Sequence, residues 1–214
     1  MARFWICRCN NPHPSAIRPC RRLASSPFCG MSDFVRRIPD GDTHERQICT
    51  TCGFIAYENP KIVVGSVVVH DDRVLMCRRA IEPRRGFWTL PAGYLELHET
   101  TAEGACREVL EEAGATVELD GILAVFDVSR IGQVQIMYRA RFANDTPEIA
   151  AGVESLDVAM FAWDDIPWQE IAFPTVVWAL EAWRRGRHQP LAVPAANPPE
   201  DRRGMRQPGE GQGL

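Results

Sequence analysis

A predicted helix over residues 99–113 carries three acidic side chains on one face, at Glu108, Glu111 and Glu112. Glu108 stands one turn from each of the other two, and like-charge pairs at this spacing cost a helix about 0.2–0.5 kcal/mol each. A solvated acidic face is the ordinary explanation of such a pattern. The alternative is a hard divalent cation bound among the carboxylates, which would remove the repulsion and suits oxygen ligands.

The residues around this helix favour a bound divalent cation over a solvated acidic face. From Gly93 through Glu99 and Arg107 to Gly114, the chain matches the pattern G-x5-E-x7-R-E-U-x-E-E-x-G-U, in which U is aliphatic. Only the last position departs from it, where Ala115 stands. If each fixed identity occurs at roughly 7%, all of them coincide about once in 10⁸ trials. This pattern is the Nudix box, and the chain resembles the Nudix hydrolases over about residues 60–187.

The resemblance implies a metal site built by a loop, the helix and a second loop. Glu108 and Glu112 correspond to ligands of Mg²⁺ (or Mn²⁺), and Glu111 to a further or water-mediated ligand. The backbone carbonyl of Gly93, or that of Ala92, would add another oxygen. Cations at such a site neutralise diphosphate oxygens and lower the pKa of an attacking water.

Other residues are assigned supporting roles by the same resemblance. Arg107 and Glu99 would pair and hold the loop against the helix. A carboxylate outside the box serves as general base in this family, at a position that varies. Glu154 is our first candidate and Asp157 the second, although an acid in an exposed loop is the ordinary alternative for both.

Substrate contacts are expected from side chains that flank the box. Arg79 ends a strand close to it and is suited to phosphate, while Trp88 and Tyr94 could stack on a base. Trp168 and Phe173 follow Glu154 and could wall the opposite side. Each of these residues could equally belong to the core or the surface.

Residues 31–60 resemble the zinc-ribbon leader of a Nudix subgroup that acts on dinucleotide-type substrates such as ADP-ribose and FAD. A structural zinc needs four Cys or His ligands, commonly from two C-x-x-C knuckles. Cys49 and Cys52 form one intact knuckle, and Cys29 lies near the place of the other, where Ser26 replaces the expected partner. We therefore predict a degenerate ribbon, with structural Zn²⁺ as the alternative.

The elements that must position these residues follow from hydrophobic periodicity. Strands are predicted over residues 62–69, 73–78, 87–90, 116–128, 134–142 and 158–163, and helices over residues 99–113 and 173–185. Thr100 and Glu103 form a capping box at the start of the first helix, and Gly114 suits a left-handed cap at its end. The predicted fold class is α/β, a Nudix fold: an α/β/α sandwich around a mixed sheet, with a small N-terminal ribbon-like segment.

The two ends differ in composition from this domain, which we place at residues 61–187. Residues 1–30 are rich in arginine, proline and serine and read as a disordered leader, a transit peptide or an extension upstream of a true start at Met31. Residues 188–214 are rich in proline, glycine and charge, so we predict a disordered tail. The protein is expected in the cytoplasm, or in an organelle matrix if the leader is a transit peptide.

Composition limits the partners. The net charge of −4 argues against a nucleic-acid-coating protein, and no apolar run approaches the roughly 18 residues of a membrane span. A homodimer remains open. The predicted function is Mg²⁺-dependent cleavage of a nucleoside diphosphate linked to another group, most of all ADP-ribose, NADH or FAD, with release of AMP. A nucleoside triphosphate or cap hydrolase is the alternative enzyme, and a ligand-sensing Nudix-fold module the alternative of another class.

Overall fold

The computed structural model describes residues 34–145, 148–201 and 204. The chain divides into two compact units, residues 1–59 and residues 60–214. In the described part of the first unit, three antiparallel strands form a small sheet in the order β1-β2-β3. Their bounds are β1 Phe34–Arg37, β2 Arg46–Cys49 and β3 Ile55–Ala56. The leader over residues 1–30 lies outside the described residues.

A mixed sheet forms the centre of the second unit. Its strands are β4 Lys61–His70, β5 Arg73–Arg79, β6 Trp88–Thr89, β7 Ala92–Tyr94, β8 Val117–Val128, β9 Gln133–Phe142 and β10 Ser155–Ala162. The order is β10-β5-β4-β9-β8, with β6 on β5 and β7 on β4. Strands β4 and β9 are parallel, and the other pairings of the described strands are antiparallel.

One helix covers each face of this sheet: α1 Thr101–Ala113 and α2 Pro174–Gly186. Side chains alternate along a strand, so neighbouring positions of β4 meet different helices. Val64 packs with Ala105 of α1 and Val68 with Val109 of α1, whereas Val67 belongs to the cluster that includes α2. This arrangement is the predicted sandwich around a mixed sheet. Among the described residues, no helix has the length and apolar character that crossing a bilayer would require.

The predicted hairpin between β4 and β5 is present. Val69 pairs with Val74 and His70 with Arg73, which leaves Asp71 and Asp72 as a two-residue turn. Both turn residues have positive φ, at 48° and 58°. This is the conformation of a type I′ turn, whose twist matches that of the flanking strands.

In the second unit, two strands differ from the prediction. Strand β7, over Ala92–Tyr94, is not predicted, because it is short and contains a glycine, and it exists through its pairing with Val63–Gly65 of β4. Strand β10 begins at Ser155 and not at residue 158, since its first residues pair with the end of β5. Periodicity cannot reveal strands that depend on such a non-local partner.

Residues 188–201, part of the segment 188–214 that we predict to be disordered, follow a hydrogen-bonded path in this structure. This segment runs along the edge strand β8: Val125 donates its N–H to the Ala195 carbonyl, and Ala195 donates to the Leu123 carbonyl, at 2.8 and 2.9 Å. Leu191 and Ala195 also pack against the core on the α2 side. Pairing with an otherwise open strand edge outweighs the polar composition of the segment. Residues 202–203 and 205–214 lie outside the described residues.

Replacing Asn197 by alanine is expected to loosen this C-terminal segment. Its side chain accepts a hydrogen bond from the Asp127 N–H at 2.9 Å and donates one to the Asp127 carbonyl at 2.7 Å. Loss of both should lower the free energy of unfolding by roughly 1–2 kcal/mol. Thermal denaturation measures the effect, with Val193→Ala, at a 92% exposed position of the same segment, as the control. An unchanged melting temperature for Asn197→Ala would contradict the pairing.

Candidate functional site

A cavity of about 920 Å³ opens beside helix α1 in the second unit. It lies between the N-terminal end of α2, the segment from Thr89 to Tyr94, and the β8–β9 end of the sheet. Most of the predicted site residues line it: Arg79, Gly93, Tyr94, Arg107, Glu108, Glu111, Glu112 and Glu154. Residues far apart in sequence therefore line the same cavity.

Helix α1 presents its glutamates to this cavity because its other face is anchored in the core. Ala105 and Val109 are fully buried against the sheet. The predicted capping box is present, with Thr100 accepting a hydrogen bond from the Glu103 N–H and Glu103 accepting one from the Thr100 N–H. Gly114 ends the helix in the left-handed conformation, at φ 63°. The register of the glutamates is thus set at both ends of the helix.

Arg107 connects the helix to the preceding loop. The expected ion pair with Glu99 is present and bidentate, at 2.8 and 3.0 Å. The same guanidinium donates to Glu108 at 2.7 Å, to Glu111 at 2.8 Å and to the Tyr94 carbonyl at 3.1 Å. The bonds from Arg107 to Glu99, and after them the bond from the Glu96 N–H, hold the pKa of Glu99 down to about 2. Glu99 itself does not line the cavity, which fits a positioning role.

Gly93 allows the box loop to approach the helix closely. A Cβ at this position would lie 2.4 Å from both carboxylate oxygens of Glu108. The neighbouring Ala92 N–H donates to the Glu112 carboxylate at 3.3 Å. A side chain larger than hydrogen at residue 93 would therefore displace the Glu108 carboxylate from the loop.

The two inward-facing glutamates are under electrostatic strain. Glu108 and Glu112 are only 8% and 6% exposed, whereas Glu111 is exposed. Burial and then the charge of Glu108 raise the pKa of Glu112 to about 8, and the charge of Glu154 also acts in this direction. Burial likewise raises the pKa of Glu108, against the opposing effect of Arg107. Such clustering of perturbed carboxylates is typical of functional sites.

The loop before β10 brings Glu154 to this cluster. Ala150 donates its N–H to the Ala113 carbonyl at 2.9 Å, and Gly152 donates to the Glu112 carbonyl at 3.1 Å. Two carbonyls near the end of α1, which a helix leaves unsatisfied, thus hold the loop. Glu154 consequently lines the same cavity as the helix glutamates, as its predicted role requires.

The residues present fit a hard divalent cation by the chemistry of their donors. The donors are carboxylate oxygens only, those of Glu108, Glu112 and Glu154. Their like charges repel one another, and burial of Glu108 and Glu112 reduces the screening by water. In the described part of the chain, no three Asp, Glu, His or Cys side chains already converge as one ligand set. The Glu108 carboxylate instead points toward Arg107, so ligand convergence would require a rotation of this side chain.

Arg79 and Tyr94 lie at the cavity as expected. The Arg79 guanidinium stacks over the Phe173 ring at 5.1 Å from its centroid, and its charge opposes the rise in the pKa of Glu112. Its positive charge thus lines the same cavity as the carboxylates. Tyr94 is half exposed, with Lys61 at 5.0 Å from its ring centroid.

Trp88, which was expected to contact the substrate, lies in the core in this structure. This side chain is 7% exposed, does not line the cavity, and packs edge-to-face on Phe161 at 4.9 Å. Trp168, the other tryptophan considered, packs on Trp163 at 4.9 Å. Both rings serve the core on the α2 side, because the strand or turn that carries each one directs it inward.

Several wall residues were not predicted from the sequence. They come from the end of β8, the β8–β9 turn, β9, α2 and the C-terminal segment, namely Val128, Ile131, Gln133, Gln135, Trp178 and Gly204. One signal was available: Gln133 and Gln135 alternate along a strand, on the face that continues into the buried Met137. A pair of amides directed at the α2 side of the sheet indicates a polar ligand or water there.

The ribbon-like segment of the first unit keeps its one intact knuckle. The Cys49 carbonyl accepts a hydrogen bond from the Gly53 N–H at 2.9 Å, and Cys49 donates its own N–H to the Phe54 carbonyl at 2.8 Å. Gly53 has a φ of 73°, which favours glycine. Cys49 and Cys52 could provide two of the four ligands that a structural zinc needs, while Cys29 lies outside the described residues.

Two family models match the chain. One, described as NUDIX domain, matches residues 59–179, more than half of the 214 residues. The other, described as Nudix N-terminal and representing a zinc ribbon, matches residues 27–58. The junction between the two matches coincides with the boundary between the compact units.

Individual proteins agree with these matches. A crystal structure of a NUDIX hydrolase from Nitrosomonas europaea is 41% identical, with a TM-score of 0.72 over 79% of this chain and 98% of that one. A MutT-like protein of Streptomyces ambofaciens is 43% identical over 37% of this chain and 49% of its own length. An ADP-ribose pyrophosphatase of Methanocaldococcus jannaschii is 24% identical over 61% and 78%, respectively. The chain thus spans about half the length of the MutT-like relative.

Proposed function

Because this chain belongs to the Nudix hydrolase family, we propose that it is a Mg²⁺- or Mn²⁺-dependent pyrophosphohydrolase. The observation that carries the proposal is the cluster of Glu108, Glu112 and Glu154 in one cavity, with the guanidinium of Arg79 beside it. Carboxylates that repel one another are suited to a bound metal cation. The guanidinium of Arg79 beside them is suited to the phosphate charge of a substrate.

Each residue has a distinct role in the proposed reaction. Glu108 and Glu112 would hold the cation, with Glu111 as a further ligand. When bound, the cation neutralises the diphosphate oxygens and lowers the pKa of a water. Glu154 would accept a proton from the attacking water as the water oxygen bonds to phosphorus, while the bond from phosphorus to the bridging oxygen breaks and the leaving phosphate keeps the electron pair. Arg107 and Glu99 act as positioning residues, since they hold the loop and the helix face in register.

We propose a nucleoside diphosphate joined to a second group as the substrate, in particular an ADP-linked compound such as ADP-ribose, NADH or FAD. Three features support this choice. The cavity extends beyond the carboxylates toward apolar walls of α2 and β8. The ribbon-like leader matches the Nudix N-terminal model. A relative that is 24% identical over 132 residues bears the name ADP-ribose pyrophosphatase.

Chromatography of reaction products tests this substrate class. With Mg²⁺ present, ADP-ribose, NADH or FAD should yield AMP and the phosphate of the partner group. The comparison substrates are dATP and 8-oxo-dGTP, which would release inorganic pyrophosphate. A kcat/KM for either triphosphate at least about tenfold above every ADP-linked compound would overturn the substrate class and leave the chemistry, since a tenfold ratio is ~1.4 kcal/mol of discrimination. Absence of hydrolysis for every compound would favour a ligand-binding module.

A further inference from the structure

Two glutamines stand among mainly apolar residues on one wall of the cavity. Gln133 and Gln135 are alternate residues of β9, so they share one face of the sheet. Across the sheet, Gln135 pairs in register with Val63 and Phe126, and Gln133 pairs with Val128 and with Lys61 at the start of β4. Amides among mainly apolar neighbours call for a polar partner, because an amide without one loses free energy.

A chain of hydrogen bonds orients these amides. The Gln135 Nε2 donates to the Gln133 Oε1 at 3.2 Å, and the Gln133 Nε2 donates to the Tyr94 hydroxyl at 3.2 Å. Gln135 therefore uses one of its two side-chain N–H groups in this series of hydrogen bonds. Among the described residues, no hydrogen bond occupies its carbonyl oxygen or its second N–H, and the side chain is half-buried at the cavity. A donor and an acceptor thus stand side by side there.

An aromatic surface lies close to this amide. Phe126 is the register partner of Gln135 on β8, and Trp178 of α2 packs edge-to-face on Phe126 at 5.5 Å. Trp178 is half-buried and lines the cavity. An amide edge beside an aromatic ring that lines the same cavity is the combination that recognises a flat heterocycle, by hydrogen bonds at its rim and contact with its face.

We propose that Gln135, oriented by Gln133 and Tyr94, reads the edge of an adenine base whose ring contacts Trp178. A glutamine amide pairs bidentately with adenine, which offers an N–H donor beside a ring-nitrogen acceptor. This inference rests on the proposed function for the identity of the substrate, and it adds the residues that select the base. These residues are distinct from the carboxylates that carry out hydrolysis.

Binding of nucleoside monophosphates tests the inference without turnover. Isothermal titration of AMP, GMP and UMP should show an AMP preference of about tenfold or more, as expected for a bidentate amide–base pair. Gln135→Met, which keeps the length of the side chain but removes the amide, should abolish that preference. Gln189→Met replaces an exposed glutamine outside the cavity and should leave it unchanged. Gln133→Met breaks the hydrogen bond to Tyr94 and should weaken the AMP preference. This variant serves as the test if Gln135→Met does not fold.

The outcomes separate this inference from the proposed function. Equal affinity of the wild-type protein for the three nucleotides, no measurable binding, or an AMP preference that survives both substitutions would overturn base reading by these amides. Hydrolysis of ADP-linked compounds could still occur in those cases. Conversely, an AMP preference that depends on Gln135, in a protein that hydrolyses nothing, would support the inference and contradict the proposed function.

Discussion

Glu112→Gln is expected to lower kcat by at least about 10²-fold, since loss of a group that stabilises transition-state charge through a metal has effects of this size. Glu112 is buried, and the charges of Glu108 and Glu154 act on its carboxylate. We therefore expect the loss of this oxygen ligand to weaken metal binding more than the loss of any other in the cluster. Glutamine has the same shape and carries no charge. The fold should therefore survive, and the melting temperature of the metal-free protein should not fall.

Steady-state kinetics with Mg²⁺, together with thermal denaturation, measure both expectations. Glu181→Gln is the matched control, because Glu181 is an exposed glutamate of α2 that does not line the cavity. Its kcat should equal that of the wild type. Full wild-type activity in excess EDTA would show that hydrolysis needs no divalent cation, and the assignment of Glu112 as a ligand would then be abandoned.

Gly152→Ala is expected to lower kcat/KM by about 10²-fold, the loss that a displacement of about 1 Å at a reacting group can cause. A Cβ on residue 152 would lie 1.7 Å from the carbonyl oxygen of Glu111. Backbone cannot move aside as a side chain can, so the loop would have to lift from the end of α1. That movement breaks the bond from the Gly152 N–H to the Glu112 carbonyl and carries Glu154 away from the carboxylates.

A double-variant comparison tests whether the loss at Gly152 acts through Glu154. Effects of groups that act as one unit are not additive. The variant with both Gly152→Ala and Glu154→Gln should therefore be no slower than the slower of the two single variants. Gly186→Ala is the matched control, because a Cβ at Gly186 meets no atom within 4 Å. Multiplicative losses, or full activity of Gly152→Ala, would refute the positioning role.

The part of the site on α1 could be predicted because its physics is local. The capping box, the left-handed glycine and the glutamates at i,i+3 and i,i+4 all involve residues within one helix and its ends. The pairing of Arg107 with Glu99 is carried by the same motif. Hydrophobic periodicity likewise predicted most strands and both helices, because each of these elements buries one continuous face.

Tertiary structure decided which distant residues meet this helix. Trp88 was expected in the site, yet β6 directs it into the core, and no local pattern specifies which face of a two-residue strand is buried. Residues 188–201 have the composition of a disordered segment, and only the open edge of β8 orders them. The position of Glu154 depends on the clearance between Gly152 and the Glu111 carbonyl, a contact between elements 41 residues apart in the chain. Such contacts are set by steric fit and by pairing with distant strands, so local propensity determined the catalytic helix of this protein, and packing determined the chamber around it.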